Sequence, residues 1–254
     1  MTQVQRRAYD RALLGARTAA YTPGEFVGQE SFMTRSEILS VARLAGIGPG
    51  VSVLDLCCGV AGPGRLVTTE LGCTYLGVDR DSEAIGLART RSSDLACRFL
   101  VGEVPPVPSG PFDVVLLLET MLAFPDKDAL LQQVSTALVP GGRLAFTVEA
   151  GQPLSATEHD EMPESDTVWP VPLAELVSRL AEVGLVVDWM QECTRTHRLV
   201  ADALIEAFES DRSAVAAQVG EDVVGDLLAA HRLWSAWLTS GRIRKFAAVA
   251  VRTD

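Results

Sequence analysis

No apolar run in this sequence approaches the length of a membrane span, because charged and small residues interrupt the N-terminal stretch and no later run is long enough. Basic residues are scarce: 22 Lys and Arg stand against 33 Asp and Glu, and no Lys/Arg-rich run stands out. With a net charge of -11, the average surface would repel a nucleic acid or an anionic membrane. We therefore predict a soluble, cytoplasmic protein that binds neither.

The sequence also lacks the cysteine spacings of a disulfide framework or a metal site. Its five cysteines are odd in number, and four of them fall in or beside apolar, strand-like segments, so structural disulfides are not expected. The adjacent Cys57 and Cys58 have no C-x-x-C partner and no histidine at ligand spacing. This favours buried small residues over redox or metal chemistry.

Apolar residues, at 48% of 254 with a mean hydropathy of +0.20, are sufficient for one sizeable core. Thr34 and Glu37 have the spacing of a capping box, which predicts a helix from there to Gly46. Beyond it, strand-length apolar runs alternate with helical segments, as in right-handed βαβ crossovers and a doubly wound sheet. The predicted strands are 51–56, 74–79, 97–101, 112–118, 142–150, 185–193 and 244–252, with helices at 82–90, 126–138 and 173–184.

Two segments in the second half depart from this rhythm. Residues 151–172 carry four prolines and five acids without a period, which predicts a long loop. Residues from about 198 to 240 are mostly of helical type and precede the final strand.

The segment VLDLCCGVAGPGR, Val53 to Arg65, is an apolar strand that carries an acid, Asp55, and then breaks into a glycine-rich turn. Three glycines lie in that turn: Gly59, Gly62 and Gly64. Open parallel sheets bind ligands outside the carboxyl ends of their strands, where glycine lets the backbone approach a ligand. A helix starting near Pro63 would add its N-terminal amides. These residues alone predict a cofactor loop of unspecified type.

Asp79 ends the second predicted strand 24 residues after Asp55, where a carboxylate can accept both hydroxyls of a ribose. A nucleoside is therefore the expected ligand, although Asp79 could instead cap the helix that follows. A dinucleotide fingerprint would place G-x-G-x-x-G directly after the strand to hold a pyrophosphate. Asp55 precedes the glycines here, and it would repel a phosphate but suit a positively charged group.

Together these segments resemble the class I S-adenosylmethionine-dependent methyltransferases of the small-molecule type. VLDLCCGVAG resembles the first motif of that family, YLGVDRD its second-strand acid, and VGEVPPVP its adenine loop. FDVVLLLETMLAFPDKDALLQQVSTALVPGGRLAFTVE resembles its fourth strand, helix, Pro-Gly-Gly turn and fifth strand. The motifs follow in the right order from roughly residue 51 to 149, which is more specific than a lone glycine loop.

The resemblance implies S-adenosyl-L-methionine as the cofactor and a position for its methionine moiety. Asp55, Cys57 and the Gly59 loop would face that moiety. Cys57 and Ala61 depart from the family pattern, because glycine is usual at both positions.

The resemblance also assigns residues to the rest of the donor. Asp79, followed by Arg80, would bind the ribose hydroxyls, and Glu103 with Val104 would meet the adenine edge. Apart from the resemblance, the position of Glu119 at the end of the fourth strand would also allow it to organise the amino group of the donor.

Methyl transfer is an in-line displacement, so the protein must align donor and acceptor, exclude water and, for many acceptors, remove a proton. Glu119 is the first candidate for the base, and its alternative role is to organise Thr120 or the donor. His159, in the 151–172 loop, and His197, after the sixth strand, could also accept a proton near neutral pH. For both histidines a surface or capping role is the alternative.

Three aromatic residues are predicted to contact the acceptor. Trp169 could stack on a ring or cover a cationic amine, or it could pin the loop to the body of the protein. Tyr21 and Phe26, with Tyr9, belong to an N-terminal segment that resembles the helical lids of such enzymes.

The last predicted helix carries His231, Trp234 and Trp237. Spacing of i, i+3 makes the tryptophans an aromatic stripe, which indicates core or a dimer seam more often than a substrate site. We interpret His231 as structural on the same grounds.

The expected architecture is a single α/β domain over 1–254, with a doubly wound, Rossmann-like, seven-stranded mixed sheet whose last strand is antiparallel. Its parts would be an N-terminal helical lid (1–46), a donor-binding core (47–150), an acceptor-side loop (151–172) and a C-terminal half (173–254) with a helical insertion at about 198–240. The expected function is methyl transfer from S-adenosylmethionine to O, N or C of a small molecule in specialised metabolism, by a monomer or homodimer. The alternatives are a catalytically silent or repurposed donor-binding protein and a dinucleotide oxidoreductase.

Overall fold

A seven-stranded mixed sheet organises the protein in the computed structural model, which describes residues 13–162 and 168–253. The order across the sheet is β3-β2-β1-β4-β5-β7-β6. The first five strands pair in parallel, and β7 runs antiparallel to β5 and β6, so the predicted fold class is confirmed. The strands are β1 (Ser52–Leu56), β2 (Thr74–Asp79), β3 (Cys97–Val101), β4 (Phe112–Leu117), β5 (Leu138–Ala150), β6 (Leu185–Glu192) and β7 (Arg244–Arg252).

Strand order reverses at β1, which pairs with β2 on one side and with β4 on the other. In open α/β sheets a reversal of this kind opens a crevice at the carboxyl ends of the two central strands. The glycine-rich turn after β1 therefore lies where a ligand site is expected.

Ten α-helices and one short 3-10 helix (Met121–Ala123) are described, and residues 13–20 form the first α-helix, α1. The predicted capping box is present: the Thr34 hydroxyl accepts from the Glu37 amide at 3.2 Å, and Glu37 accepts from the Thr34 amide at 2.9 Å. Pro63 lies in the first turn of α3, as its sequence position predicts. The others are α2 (Arg35–Leu44), α3 (Gly62–Leu71), α4 (Ser82–Arg91), α5 (Lys127–Ala137), α6 (Ala156–Glu161), α7 (Leu173–Glu182), α8 (Thr194–Ser210), α9 (Arg212–Val219) and α10 (Glu221–Ser240).

Two apolar clusters cover the two faces of the sheet, because neighbouring strand residues point to opposite sides. In β1, Val53 belongs to one cluster, and Leu54 and Leu56 belong to the other. A third cluster, with Leu13 and Phe208 fully buried in it, joins α1 to the helices between β6 and β7. The N-terminal segment and the helical insertion therefore pack on each other.

Three differences from the sequence predictions are larger than three residues. The predicted 151–172 loop contains α6, whose N-cap Ser155 forms a capping box with Glu158. The insertion begins at Thr194 instead of residue 198, and β5 begins at Leu138 instead of residue 142. Tyr9 and residues 163–167 of the predicted loop lie outside the described residues.

All five cysteines are free thiols. Within the described ranges, no helix combines the length and the apolar character that a bilayer crossing demands.

Candidate active site

The turn between β1 and α3 adopts a backbone conformation that favours glycine. Cys57 (φ 59°), Gly59 (φ 53°) and Ala61 (φ 61°) all lie in the left-handed region. Cys57 and Ala61 are the two positions where the resemblance to methyltransferases leads one to expect glycine. A left-handed conformation costs an L-residue roughly 1–2 kcal/mol, so the surrounding packing must hold both residues in place.

Two further glycines are required by close packing. A Cβ on Gly62 would lie 2.6 Å from the backbone carbonyl carbon of Gly28, and one on Gly64 would lie 2.2 Å from the Tyr75 ring. The N-terminal segment and a side chain of β2 therefore press directly against this turn.

We expect Gly62→Ala to destabilise the protein by about 1–3 kcal/mol, because backbone atoms on both sides must move. Gly86→Ala is the matched control, since Gly86 lies in α4 and a Cβ added there would meet no described heavy atom within 4 Å. That change should be neutral or stabilise by up to about 1 kcal/mol. Urea unfolding of both variants checks the expectation, and equal effects would contradict it.

Asp55 lies beneath the glycine turn, 4% exposed, and its carboxyl group accepts a 2.5 Å hydrogen bond from the Tyr75 hydroxyl. Burial raises its pKa to about 7, with a contribution from Asp79, although the Tyr75 hydrogen bond acts in the opposite direction. The buried carboxyl group of Asp55 is thus a weaker acid than an exposed aspartate. A direct contact between Asp55 and the donor stays a prediction.

Asp79 fixes the start of the turn from the end of β2. One carboxylate oxygen accepts from the Gly59 amide at 2.8 Å, and the other accepts from the Asp81 amide at 2.9 Å. The N-cap of α4 is Asp81, which accepts from the amides of Glu83 and Ala84, so the alternative that Asp79 caps this helix is wrong. Each oxygen of Asp79 retains a lone pair for a further donor.

The remaining predicted donor contacts gather at the same edge of the sheet. The Gly102 amide donates to the Asp79 carbonyl at 2.9 Å, which places Glu103 and Val104 directly after the joined ends of β2 and β3. Glu103 and Arg80 are exposed, and Val104 is half-buried against the core.

These residues fit a nucleoside-containing donor. A carboxylate with spare lone pairs, an apolar side chain and a glycine turn lie together, and a Cβ on Gly59 would meet no described heavy atom within 4 Å. This space is where the donor would approach the turn.

Glu119, directly beyond β4, belongs to a buried charge cluster. Its Oε2 lies 2.5 Å from Nζ of Lys245, which lies 2.9 Å from Oε1 of Glu149. Lys245 and Glu149 face each other across the β5–β7 pair, and the Phe32 amide donates to Glu119 Oε2 at 3.3 Å. The side chains of Glu119, Lys245 and Glu149 are only 6%, 3% and 2% exposed, respectively.

The cluster makes Glu119 a weak base. Burial opposes its ionisation, but Lys245 and His197 outweigh that effect and lower its pKa to about 2. Efficient proton transfer requires a pKa near the working pH, so the placement argues against the predicted role of Glu119 as general base. Glu119 also has a left-handed backbone (φ 60°), and strain of this kind concentrates at functional sites.

His197, in the first turn of α8, lies beside this cluster. Its Nδ1 is 3.7 Å from Glu119 Oε1, and its Nε2 is 3.4 Å from Glu37 Oε2. The ring is 1% exposed and lines a cavity of about 250 Å³ with Glu37, Cys193 and Trp189. The structure therefore brings His197 to Glu119 but encloses it between two carboxylates.

A cavity of about 300 Å³ opens above the charge cluster. Glu119, Glu149 and Lys245 lie in its lining, with aromatic side chains from two segments: Tyr21 and Phe32 from the N-terminal part, His231 and Trp234 from α10. Nζ of Lys245 lies 4.9 Å from the ring centre of Phe32 and 5.8 Å from that of Trp234.

The predicted acceptor residues are distributed unevenly around this cavity. Tyr21 lines it, whereas Phe26 packs on Tyr21 at 5.4 Å and lines a separate space of about 30 Å³ near Val60. The ring centres of His159 and Trp169 are 5.6 Å apart, and neither residue is in the lining of the cavity of about 300 Å³.

Trp169 is held through its backbone. Its amide donates to the Leu122 carbonyl at 2.8 Å, and its carbonyl accepts from the buried Lys127 ammonium at 2.7 Å. These two hydrogen bonds favour the alternative prediction, in which Trp169 pins the loop to the body of the protein. His159, whose ring contacts that of Trp169, also lies outside the cavity lining.

Several residues of the cavity are not expected from the sequence. The α10 stripe predicts core or a dimer seam. Trp237, 6% exposed, lies in a core cluster, and Trp234 packs against two core clusters but also lines the cavity, which the sequence does not predict. His231, for which the sequence favours a structural role, is also in the lining. Phe32, Glu149 and Lys245 carry no sequence signal that predicts a role.

Residues 47–222 match the methyltransferase-domain family, which is more than half of the chain. The chain belongs to that family, and within it to the class I S-adenosylmethionine-dependent methyltransferases, whose cofactor is S-adenosylmethionine.

Among curated relatives, the chain is 34% identical over 101 residues to a fatty-acid O-methyltransferase of Mycolicibacterium smegmatis. The match covers 39% of this chain and only 37% of that relative. Among solved structures, the cyclopropane synthase MmaA2 of Mycobacterium tuberculosis has a TM-score of 0.80 at 15% identity, over 98% of this chain and 97% of that one. A phosphoethanolamine N-methyltransferase of Haemonchus contortus, solved with S-adenosylhomocysteine, has a TM-score of 0.79 at 18% identity. This match covers 99% of this chain and 59% of that one. At such identities the structural likeness shows the fold alone.

Proposed function

We propose that the protein transfers a methyl group from S-adenosylmethionine to O, N or C of a small-molecule acceptor held in the cavity of about 300 Å³. The observation that carries this proposal is the position of Glu119. It follows β4, the strand beside β1, and lies in the cavity lining, so the acceptor space opens next to the donor-binding edge of the sheet.

Each donor residue has a distinct task. Asp79 accepts the ribose hydroxyls while it holds the Gly59 amide, so the same carboxylate fixes both ligand and turn. Val104 and Glu103 meet the adenine, and Cys57, with Asp55 beneath it, borders the methionine end, with Arg80 at the ribose side. The bound cofactor supplies a methyl group made electrophilic by its sulfonium.

The acceptor side must exclude water and hold the acceptor in line. Tyr21 and Phe32 cover the cavity from the N-terminal side, and the Phe32 amide is bonded to Glu119, which couples this cover to the charge cluster. We propose Glu119 as a positioning residue that orders the mouth of the cavity, with Lys245 as its counter-ion.

The fatty-acid O-methyltransferase among the relatives supports a small organic acceptor. A cytoplasmic monomer or homodimer without nucleic acid or membrane as partner agrees with the net charge of -11. We retain a single domain over 1–254, with 1–46 as lid, 47–150 as donor-binding core, 151–172 on the acceptor side and 173–254 carrying the insertion.

The proposal is tested by incubating the protein with methyl-labelled S-adenosylmethionine and a fractionated metabolite extract. We expect label in a small product, with equimolar formation of S-adenosylhomocysteine and no label in samples that lack protein. A silent or repurposed donor-binding protein would bind the donor and transfer no label. A dinucleotide oxidoreductase, which the family membership disfavours, would instead change the absorbance of added nicotinamide or flavin cofactors.

A further inference from the structure

The cationic side chains that line the cavity of about 300 Å³ are each paired with a carboxylate. Nζ of Lys245 bonds both Glu119 and Glu149, at 2.5 and 2.9 Å. Arg17 pairs with Glu30 at 3.1 Å. Among the described lining residues, therefore, no cation stands without a carboxylate partner to receive a carboxylate or phosphate group of an acceptor.

His231 presents the opposite kind of group, a free hydrogen-bond acceptor. Its Nδ1 lies 2.6 Å from the Leu227 carbonyl oxygen. Because a carbonyl can only accept, Nδ1 carries the hydrogen, and Nε2 of the neutral ring holds a lone pair. The described part of the chain provides no hydrogen-bond partner for Nε2.

The surroundings of His231 keep the ring fixed and uncharged. Its ring lies 6.0 Å from that of Phe32 and 5.6 Å from that of Phe208, in edge-on contacts. Burial lowers its pKa below the usual 6.5, and the charge of Arg17 acts in the same direction, although the Leu227 bond opposes both. At neutral pH the ring is therefore a proton acceptor.

We propose that the cavity selects an acceptor that carries a hydroxyl or amine on an apolar or aromatic body, and that Nε2 of His231 receives the hydrogen bond of that group. The inference rests on the proposed function. When the oxygen or nitrogen lone pair forms its bond to the methyl carbon, the carbon–sulfur bond breaks, its electron pair stays on sulfur, and the released proton passes to Nε2. Phe32, Trp234 and Tyr21 supply the walls for the apolar body.

The state of His231 can be measured without knowing the acceptor, because the protein has only three histidines. Nitrogen NMR of the histidine-labelled 254-residue chain, assigned with His159→Gln and His231→Gln, reports tautomer and pKa for each ring. We expect His231 to be the Nδ1–H tautomer with a pKa below the usual 6.5. An Nε2–H tautomer, or a pKa above 6.5, would overturn the inference.

The acceptor class is tested with three probes of one size: benzyl alcohol, benzylamine and benzoate, each added to protein saturated with S-adenosylhomocysteine. We expect the alcohol and the amine at millimolar concentration to shift the His231 Nε2 resonance, and benzoate to leave it unchanged. His231→Gln should weaken binding of the first two probes several-fold. A benzoate shift as large as the others, or no shift with any probe, would overturn the inference. Failure of S-adenosylhomocysteine to bind in the same samples would instead count against the proposed function.

Discussion

Asp79→Ala is expected to weaken binding of S-adenosylmethionine and S-adenosylhomocysteine by about 1.5–3 kcal/mol, or roughly 10- to 150-fold. The variant loses a charged acceptor for the ribose hydroxyls. It also frees the Gly59 amide, which the carboxylate holds at 2.8 Å, so the turn loses part of its order. Calorimetric titration of both ligands into wild type and variant measures the effect.

Two variants separate the direct contact from the structural one. Asp79→Asn keeps an oxygen for the Gly59 amide but lacks the charge, so its affinity should fall between those of wild type and Asp79→Ala. Asp81→Ala removes the N-cap of α4, which costs stability of about 1 kcal/mol, but it should leave donor affinity nearly unchanged. Affinity that is indifferent to Asp79, or equally sensitive to Asp81, would contradict the assignment of the donor site.

The sheet and the donor edge could be predicted from the sequence because their signals are local. Apolar runs define β2, β3 and β7 with the bounds found in the structure, and the glycine turn marks the end of β1. A carboxylate that ends a strand beside such a turn, as Asp79 does, can be identified for the same reason. The α6 helix also has a local signal, since Ser155 and Glu158 have capping-box spacing, but the prolines around them favour a loop.

The acceptor side could not be predicted in the same way, because its contacts join distant parts of the chain. Glu119 and Lys245 are 126 residues apart, and they meet only through the antiparallel placement of β7 beside β5. In the sequence, Arg244 and Lys245 are two equivalent charges at the start of a strand. Because side chains alternate along a strand, Arg244 and Lys245 point to opposite faces of the sheet. Only the pairing register of β7 with β5 shows which of the two faces the core.

Lys245→Met is expected to destabilise the protein by about 3–5 kcal/mol, because it leaves the buried carboxylates of Glu119 and Glu149 without their cation. For a chain of this length such a loss lowers the melting temperature by roughly 6–20 °C. Thermal unfolding at pH 7 measures it. Arg244→Met is the matched control: this neighbouring residue of β7 pairs with Glu192 on the surface, where Arg244 is 54% exposed, and its loss should change the melting temperature little.

The change of stability with pH distinguishes the loss of a counter-ion in Lys245→Met from a simple packing defect. In the wild type the pKa of Glu119 is lowered from 4.5 to about 2, so its contribution is present above pH 4.5 and is lost as pH falls toward 2. Without Lys245, only His197 and the Phe32 amide still lower this pKa, and we expect burial to outweigh them and to raise it above its unfolded value. Lys245→Met should then be more stable at pH 5 than at pH 8. Glu119→Gln in the Lys245→Met background removes one buried charge and should restore part of the loss. If instead the variant has wild-type pH dependence and the second substitution restores nothing, Lys245 acts through packing on Phe32 and Trp234 and not as the counter-ion of Glu119.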